Sequence, residues 1–495
     1  MTLRQQLITY ALLIFFTGIN IFLFTKDFYW LAILPLIIAL GWLIIYKPYE
    51  SMLLVAFATP LSIKVDIDPL QMSVNLPTEP VMVGLLGLIL LKFITHYPLD
   101  MRIIRHPLSI AILINLAWIL ITSLTSSMPI VSLKFFFARL WFVGIFYFLA
   151  INLFNRYDRF KAFVWLFSGS LCIAITYTMI RHGQHGWDQL YSNKAPIPFF
   201  MNHGVYAAVI CLFLPVVMMF AWKPKAFGLK PWAWAASGFL SVFFFIAMIL
   251  SYTRAAWIGL AASACLFGIF LLKIPLRTLV FAAIAGLFVL WIYQGVIIQK
   301  LESNKTVSAT DIEAHVSSIT NISTDASNVE RINRWKSAFR MFRERPFFGW
   351  GPGTYMFQYS AFQLSSEMTI ISVRTGTQGN AHSEYIGPLA ESGVLGTLTF
   401  LGIVVVSLAV AINLVYKARN ATIKYTAMAL IIALSSYFVH GFINNYLDMD
   451  KAAVPFWAFL AMITLLDIRN KESDPMLIEP TGTAEDRTLD VSKNR

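Results

Sequence analysis

This sequence predicts an all-α bundle that crosses a lipid bilayer some twelve to fourteen times. Three observations carry that prediction. The 495 residues are 58% hydrophobic and only 13% charged, with a mean hydropathy of +0.68, too little charge to cover a soluble protein of this length. Apolar runs of about 20 residues, the length of one helical crossing, recur almost from end to end. No barrel-type alternation is visible, and lipid offers unpaired backbone groups no partner, so the runs must be helices.

Taken in order, the runs fall near 7–25, 28–46, 51–63, 78–95, 108–126, 133–154, 162–180, 201–221, 233–252, 255–272, 278–298, 384–415, 425–446 and 453–467. The third is short and contains Pro60. The first has no small-residue cleavage motif before Lys26 and reads as a retained span. Cys172, Cys211 and Cys265 all sit inside apolar runs, which excludes a disulfide framework or a CxxC metal site as the expectation. The chain divides into a membrane bundle over 1–298, a large outer loop over 299–383, further spans over 384–467 and a polar, disordered cytoplasmic tail over 468–495.

The formal charge of +12 is explained by position and is no sign of a nucleic-acid partner. Lys47, Arg102, Arg105, Arg156, Arg159, Lys161, Lys223, Lys225, Lys230, Lys273, Arg277, Lys417, Arg419 and Lys424 fall in alternate connections. The positive-inside rule makes those connections cytoplasmic, with both termini on the same side.

Two segments on the outer side stand out. One is "RHGQHGWDQLYSNKAPIPFF", residues 181–200. The other, 299–383, begins rich in Ser, Thr and Asn and continues as "NVERINRWKSAFRMFRERP". There Ile332, Trp335, Phe339 and Phe342 recur at helical spacing, with Arg331, Arg334, Lys336, Arg340, Arg343 and Arg345 over much of the remainder. Asn328 reads as the N-cap and Pro346 as the stop. A basic amphipathic helix of this kind lies in the membrane surface, its arginines toward headgroups. "FFGWGPGTYMFQY" follows, a tight turn around Gly349, Gly351 and Gly353.

Few residues in the spans can carry chemistry. The first eleven hold no acidic residue in their interiors, and Glu391 in the twelfth is the exception. This scarcity counts against an ion-coupled transporter. Arg139 lies well inside an apolar run and Arg254 at an outer span end. With no intramembrane carboxylate to meet them, a lipid-linked phosphate is a natural partner, because guanidinium matches phosphate oxygens in a bidentate fork. Snorkelling or pairing with backbone carbonyls accounts for Arg139 equally well, and interfacial anchoring for Arg254. His182 and His185 form an HxxH pair without carboxylate or cysteine companions, so no metal is expected. His203 and His440 read as packing or hydrogen-bonding residues. His382, in "AHSEYIGPLAESGVLG", taken alone is a boundary histidine without a task.

The order of three elements changes that reading. "SYTRAAW" after a span, "RINRW" followed by "RPFFGWGPGTY", and "HSEYIGPLAESGVLG" before re-entry into the membrane together resemble the O-antigen ligase and polymerase family of bacterial inner-membrane glycan transferases. The similarity covers roughly residues 200 to 450, with the motifs between 251 and 396. Ser383 stands where asparagine is common and Ile386 where leucine is. The resemblance implies a donor glycan on undecaprenyl pyrophosphate and an active site facing the periplasm. It implies no cofactor and no metal, since arginine is charged at every relevant pH.

On that reading Arg254, Arg139 and Arg331 bind the donor pyrophosphate, and His382 is the base for an acceptor hydroxyl in an inverting displacement. The acceptor is lipid A core, a growing polysaccharide or a protein hydroxyl. Glu391, nine residues on and about 13 Å along a helix, is structural, and Gly387, Gly393 and Gly396 serve close helix packing. A transporter or flippase for lipid-linked sugars is the alternative function.

Overall fold

A computed structural model gives the fold. The structure describes residues 3–27, 30–67, 72–94, 100–274, 326–368, 372 and 379–472, with isolated positions between 278 and 293. The expected span 278–298 (apart from those positions), the polar lead-in 299–325 and the tail from 473 lie outside the described residues.

Helices dominate, as the hydropathy pattern requires. They are α1 (Leu3–Phe24), α2 (Leu34–Tyr46), α3 (Pro48–Ala58), α4 (Thr78–Ile94), α5 (Pro107–Leu124), α6 (Pro129–Leu153), α7 (Tyr157–Gln184), the single turn α8 (Gln189–Ser192), α9 (His203–Trp222), α10 (Pro231–Leu250), α11 (Arg254–Leu271), α12 (Ala326–Glu344), α13 (Ile386–Lys417), α14 (Ala421–His440) and α15 (Asp450–Glu472). Among the described residues nine helices are long and apolar enough to cross a membrane, and three shorter apolar helices lie before residue 95. The chain is therefore an all-α, multi-pass membrane protein.

The helix starts follow local chemistry. Pro48, Pro107, Pro129 and Pro231 stand first in their helices, where the missing N–H costs nothing. Asn202 and Asn420 accept the N–H groups of Val205 and Ile423, each at 3.1 Å, and so cap α9 and α14.

The run 51–63 does not cross as one span. Its helix stops at Ala58, and eleven residues reach roughly 16 Å, about half of a hydrocarbon core. Pro60, which has no N–H to continue the ladder, lies in a 3-10 turn. A hairpin follows, β1 (Ile63–Ile67) paired antiparallel with β2 (Met72–Leu76), Val65 opposite Val74. The turn's polar groups find partners in α15. Lys451 Nζ donates to the carbonyls of Thr59 and Ser62, and the Ser62 and Thr78 hydroxyls donate to Asp450 at 2.8 and 2.9 Å.

Burial separates helices that hydropathy cannot rank. The apolar window of α15 is 94% buried and that of α9 89%, against 33% for α10 and 28% for α11. The first two form the centre, with α14 packed on both, and the last two lie at the edge. Inside a bilayer a lipid-facing and a protein-facing side can be equally apolar, so the distinction rests on shape rather than on polarity. Connections 125–128, 185–202, 251–253 and 441–449 gather at one end with α12 and the residues around His382. Lys223, Lys417 and Lys424 lie at the other.

Candidate functional site

The site is assembled from four short stretches at the loop-rich end. The first is the reversal between α10 and α11. Tyr252 takes a left-handed backbone (φ +51°), and the Ser251 hydroxyl donates to Met248 O at 2.6 Å while accepting Thr253 N–H at 3.3 Å. His203, at the start of α9, grips this turn from both sides. Its ring Nδ1–H donates to Ser251 O at 2.9 Å, and its own carbonyl accepts the Thr253 hydroxyl at 3.2 Å. The turn delivers Arg254 as the first residue of α11.

The second stretch is α12, which begins at Ala326 and holds Asn328 inside rather than as its cap. Its buried face is Glu330, Asn333, Arg334, Ser337, Ala338 and Met341, not the aromatic stripe; Phe339 is 45% exposed. The reason is electrostatic. Arg334 donates to Glu330 at 2.8 Å and to Asn380 O at 3.0 Å, and Arg340 pairs with Glu367 and donates to Phe362 O at 2.6 Å. Two arginines of the expected headgroup face are therefore engaged within the loop. A Cβ on Gly379, whose φ is +100°, would stand 1.9 Å from the Arg334 guanidinium, so the glycine lets the clamp close.

The third stretch joins two motifs that are 40 residues apart. Helix α13 breaks at Gly393 (φ 71°, ψ −170°), and the break releases backbone groups that the glycine turn of 346–355 takes up. Trp350 N–H donates to Ala390 O at 3.1 Å, Gly351 N–H to Glu391 O at 2.8 Å, and Val394 N–H to Pro346 O at 2.9 Å. Trp118 of α5 donates its indole N–H to Ser392 O at 2.8 Å, and the Glu391 carboxylate accepts Tyr355 N–H at 3.0 Å. Glu391 is engaged with the glycine turn, though not through a helix continuous with His382, since α13 begins at Ile386, and Gly393 serves a kink rather than close helix packing. A Cβ there would lie 2.1 Å from Phe347 O. Gly393→Ala is expected to cost about 2 kcal/mol or more, from the left-handed backbone and the clash together, seen as a lower melting temperature and a smaller monodisperse fraction after solubilisation.

The fourth stretch holds His382, itself left-handed (φ +49°), with its N–H on the Asn380 side chain at 3.1 Å. Two residues on, Glu384 accepts from the Tyr437 hydroxyl at 2.7 Å and from the N–H groups of Tyr446 and Leu447 at 2.8 and 2.9 Å. This fastens the His382 segment to the 441–449 connection. Burial raises the Glu384 carboxyl to about 7, and the charge of Asp448 adds to the rise. Burial lowers His382 to about 3, assisted by the positive charges of Arg334 and Arg331. Its imidazole is therefore neutral near pH 7.

The first, second and fourth stretches, with connections 185–202 and 441–449, enclose a cavity of ≈ 630 Å³ into which Arg254, Arg331 and His382 all open, together with His203, Trp335 and Tyr446; the third stretch supports it from outside. The volume lies in the range of ligand sites. Among the described lining residues the formal charges are Arg254 and Arg331, both positive.

Arg139 is not brought there. Its guanidinium donates to Asp448 at 2.9 Å and sits over the Phe135 ring. The premise that it lacks a protein carboxylate is corrected by a connection that folds back into the bundle. His182 and His185 are likewise committed: His182 Nε2–H donates to Asp188 O at 2.9 Å, and His185 Nδ1–H to Arg181 O at 2.8 Å. His203 and Glu384 were not expected at the site. Their signals were an imidazole just after a capping asparagine, and an acid two residues beyond His382.

Residues 239–401 match the model of a family described as O-antigen ligase. That stretch contains all three motif elements, and it bears out the resemblance to the O-antigen ligase and polymerase family. The family performs glycosyl transfer in O-antigen or polysaccharide assembly. No curated protein matches the chain.

Proposed function

We propose that this protein transfers a glycan from undecaprenyl pyrophosphate to a hydroxyl acceptor at the periplasmic face of the bacterial inner membrane. The observation that carries the reading is the opening of Arg254, Arg331 and His382 into a single cavity. The acceptor oxygen attacks the anomeric carbon as the bond from that carbon to the pyrophosphate oxygen breaks, and the electron pair leaves with the lipid pyrophosphate. Arg254 and Arg331 meet the charge that develops on the leaving group. His382 takes the acceptor proton and returns it to water. One displacement inverts the anomeric centre.

A bound pyrophosphate offsets the positive charge of Arg331 and Arg334 that helps depress the proton affinity of His382, so donor binding strengthens the base just before it is used. Arg139, paired with Asp448, has a supporting place in this scheme, outside the cavity.

Purified protein in liposomes, supplied with a polyprenyl-pyrophosphate glycan and candidate acceptors (lipid A core, oligosaccharide, peptide) in the presence of EDTA, is expected to release polyprenyl pyrophosphate and form a glycosylated acceptor. A strict magnesium requirement would remove the assignment of charge stabilisation to arginine alone. Movement of the donor between leaflets with no product would favour the flippase reading.

A further inference from the structure

Arg254 begins an edge helix, much of which faces lipid, so its placement depends on the turn before it. That turn breaks two local rules. Tyr252 holds a left-handed backbone (φ +51°), a costly conformation for a residue with a large side chain. Thr253 occupies the N-cap of α11, yet its hydroxyl caps nothing. It donates instead to His203 O of α9 at 3.2 Å. A shape that local preference disfavours persists only where the surroundings enforce it, and such places cluster at functional sites.

The enforcing contact is His203. Its ring bond to the turn has a fixed sense: Ser251 O can only accept, so the 2.9 Å contact requires the proton on Nδ1. The Ser192 hydroxyl is the longer contact of the same nitrogen, at 3.4 Å, and donates to Gln189 O at 2.6 Å. His203 is placed in its turn by Asn202, which caps α9 through Val205 N–H. Helix α9 is central, its apolar window 89% buried against 28% for α11. The histidine thus refers an edge helix to the fixed middle of the bundle.

We propose that His203 is a positioning residue for Arg254: its Nδ1–H, bonded to Ser251 O, fixes the turn 251–253 to α9 and so holds Arg254 at the cavity. The inference rests on the proposed function and adds no chemical step to it. His203 also lines the cavity, so direct contact with the donor is the role from which positioning must be distinguished.

The test uses the full-length protein in nanodiscs. An asparagine amide puts an N–H where Nδ1 stands, and a glutamine amide puts one near Nε2. His203→Ala should lower kcat about 10- to 100-fold, the order of loss when a reacting group is misplaced by about 1 Å, with donor KM nearly constant. His203→Asn should recover most of that rate and His203→Gln little of it. Direct binding of sugar-free undecaprenyl pyrophosphate gives a second readout. His203→Ala should weaken it several-fold when Arg254 is present and leave it unchanged in an Arg254→Ala background. Better rescue by glutamine than by asparagine would assign His203 to the ligand and overturn positioning. So would an unaltered kcat in His203→Ala, or equal weakening of binding with and without Arg254. The comparison of asparagine with glutamine decides the matter even if the alanine variant fails to fold. If wild type neither binds the lipid nor forms product, the proposed function itself fails, which is a distinct result.

Discussion

His382→Ala should reduce transfer by roughly 10²- to 10⁴-fold, the usual worth of a positioned general base, with donor binding little changed. The reason lies in where the imidazole contributes. It carries no charge at neutral pH, so it adds little attraction for a pyrophosphate, and its effect falls on the step in which the acceptor loses a proton. Initial rates against donor concentration should therefore show a fall in kcat with KM nearly constant. The pH dependence carries a second signature. A histidine whose folded pKa is about 3 stays deprotonated, and competent as a base, throughout the range above that value. From this group kcat/KM, which reports the free enzyme, should show no acid limb between pH 5 and 8. The profile of kcat reports the donor complex, where phosphate charge offsets Arg331 and Arg334, so its acid limb should lie at higher pH than that of kcat/KM. An alanine variant with full activity would remove the assignment, and a kcat/KM limb near pH 6.5 that His382→Ala abolishes would keep the base but overturn its lowered proton affinity.

The parts of this site that could be read from sequence are those whose meaning is local. Ser251, Thr253 and Arg254, where one apolar run gives way to the next, announce a tight turn with a cation at its exit, and the fold supplies that turn. Arg331 sits in a helical repeat, and His382 immediately precedes re-entry into the membrane. What could not be read depends on partners far along the chain. Asp448 meets Arg139 from 309 positions away, and counting acids within spans misses an acid on a connection that turns inward. Gly393 looks like any small residue of a packed helix until Pro346 and Trp350 are seen to occupy its broken ladder. The hairpin 63–76 is hidden for a similar reason. A half-length apolar helix resembles a weak span unless Lys451 and Asp450 are known to hold the turn that ends it.

That long-range wiring explains why the three motifs share one stretch of chain. The glycine turn fills the break in α13, Arg334 closes on the segment leading to His382, and Glu384 anchors the far side of that segment to the 441–449 connection. The histidine is held from two directions, and its left-handed backbone persists because both neighbours fix it. Arg254 is fixed independently, through the grip of His203 on the preceding turn. His382 and Arg254 thus have different local supports, and both line the cavity.

Arg254→Ala and Arg331→Ala should each lower kcat by about 10²- to 10³-fold, the effect of losing one preorganised donor to a developing charge. The sign of the KM change follows from charge. A glycosyl pyrophosphate gains one negative charge on its leaving group as the bond breaks, so a guanidinium interacts more strongly with the departing group than with the intact donor. Most of the loss should therefore appear in kcat, and inhibition by the product, polyprenyl pyrophosphate, should weaken more than donor binding does. Arg254→Lys keeps the charge and loses the fork, so it should recover part of the rate and less of the product affinity. The double alanine variant separates cooperation from independence. If both arginines contact the same pyrophosphate, removing the second costs less than removing it alone, as happens for groups that act as a unit. Losses that multiply in full would mean that the two residues serve different steps, and a common pyrophosphate site for Arg254 and Arg331 would then have to be abandoned.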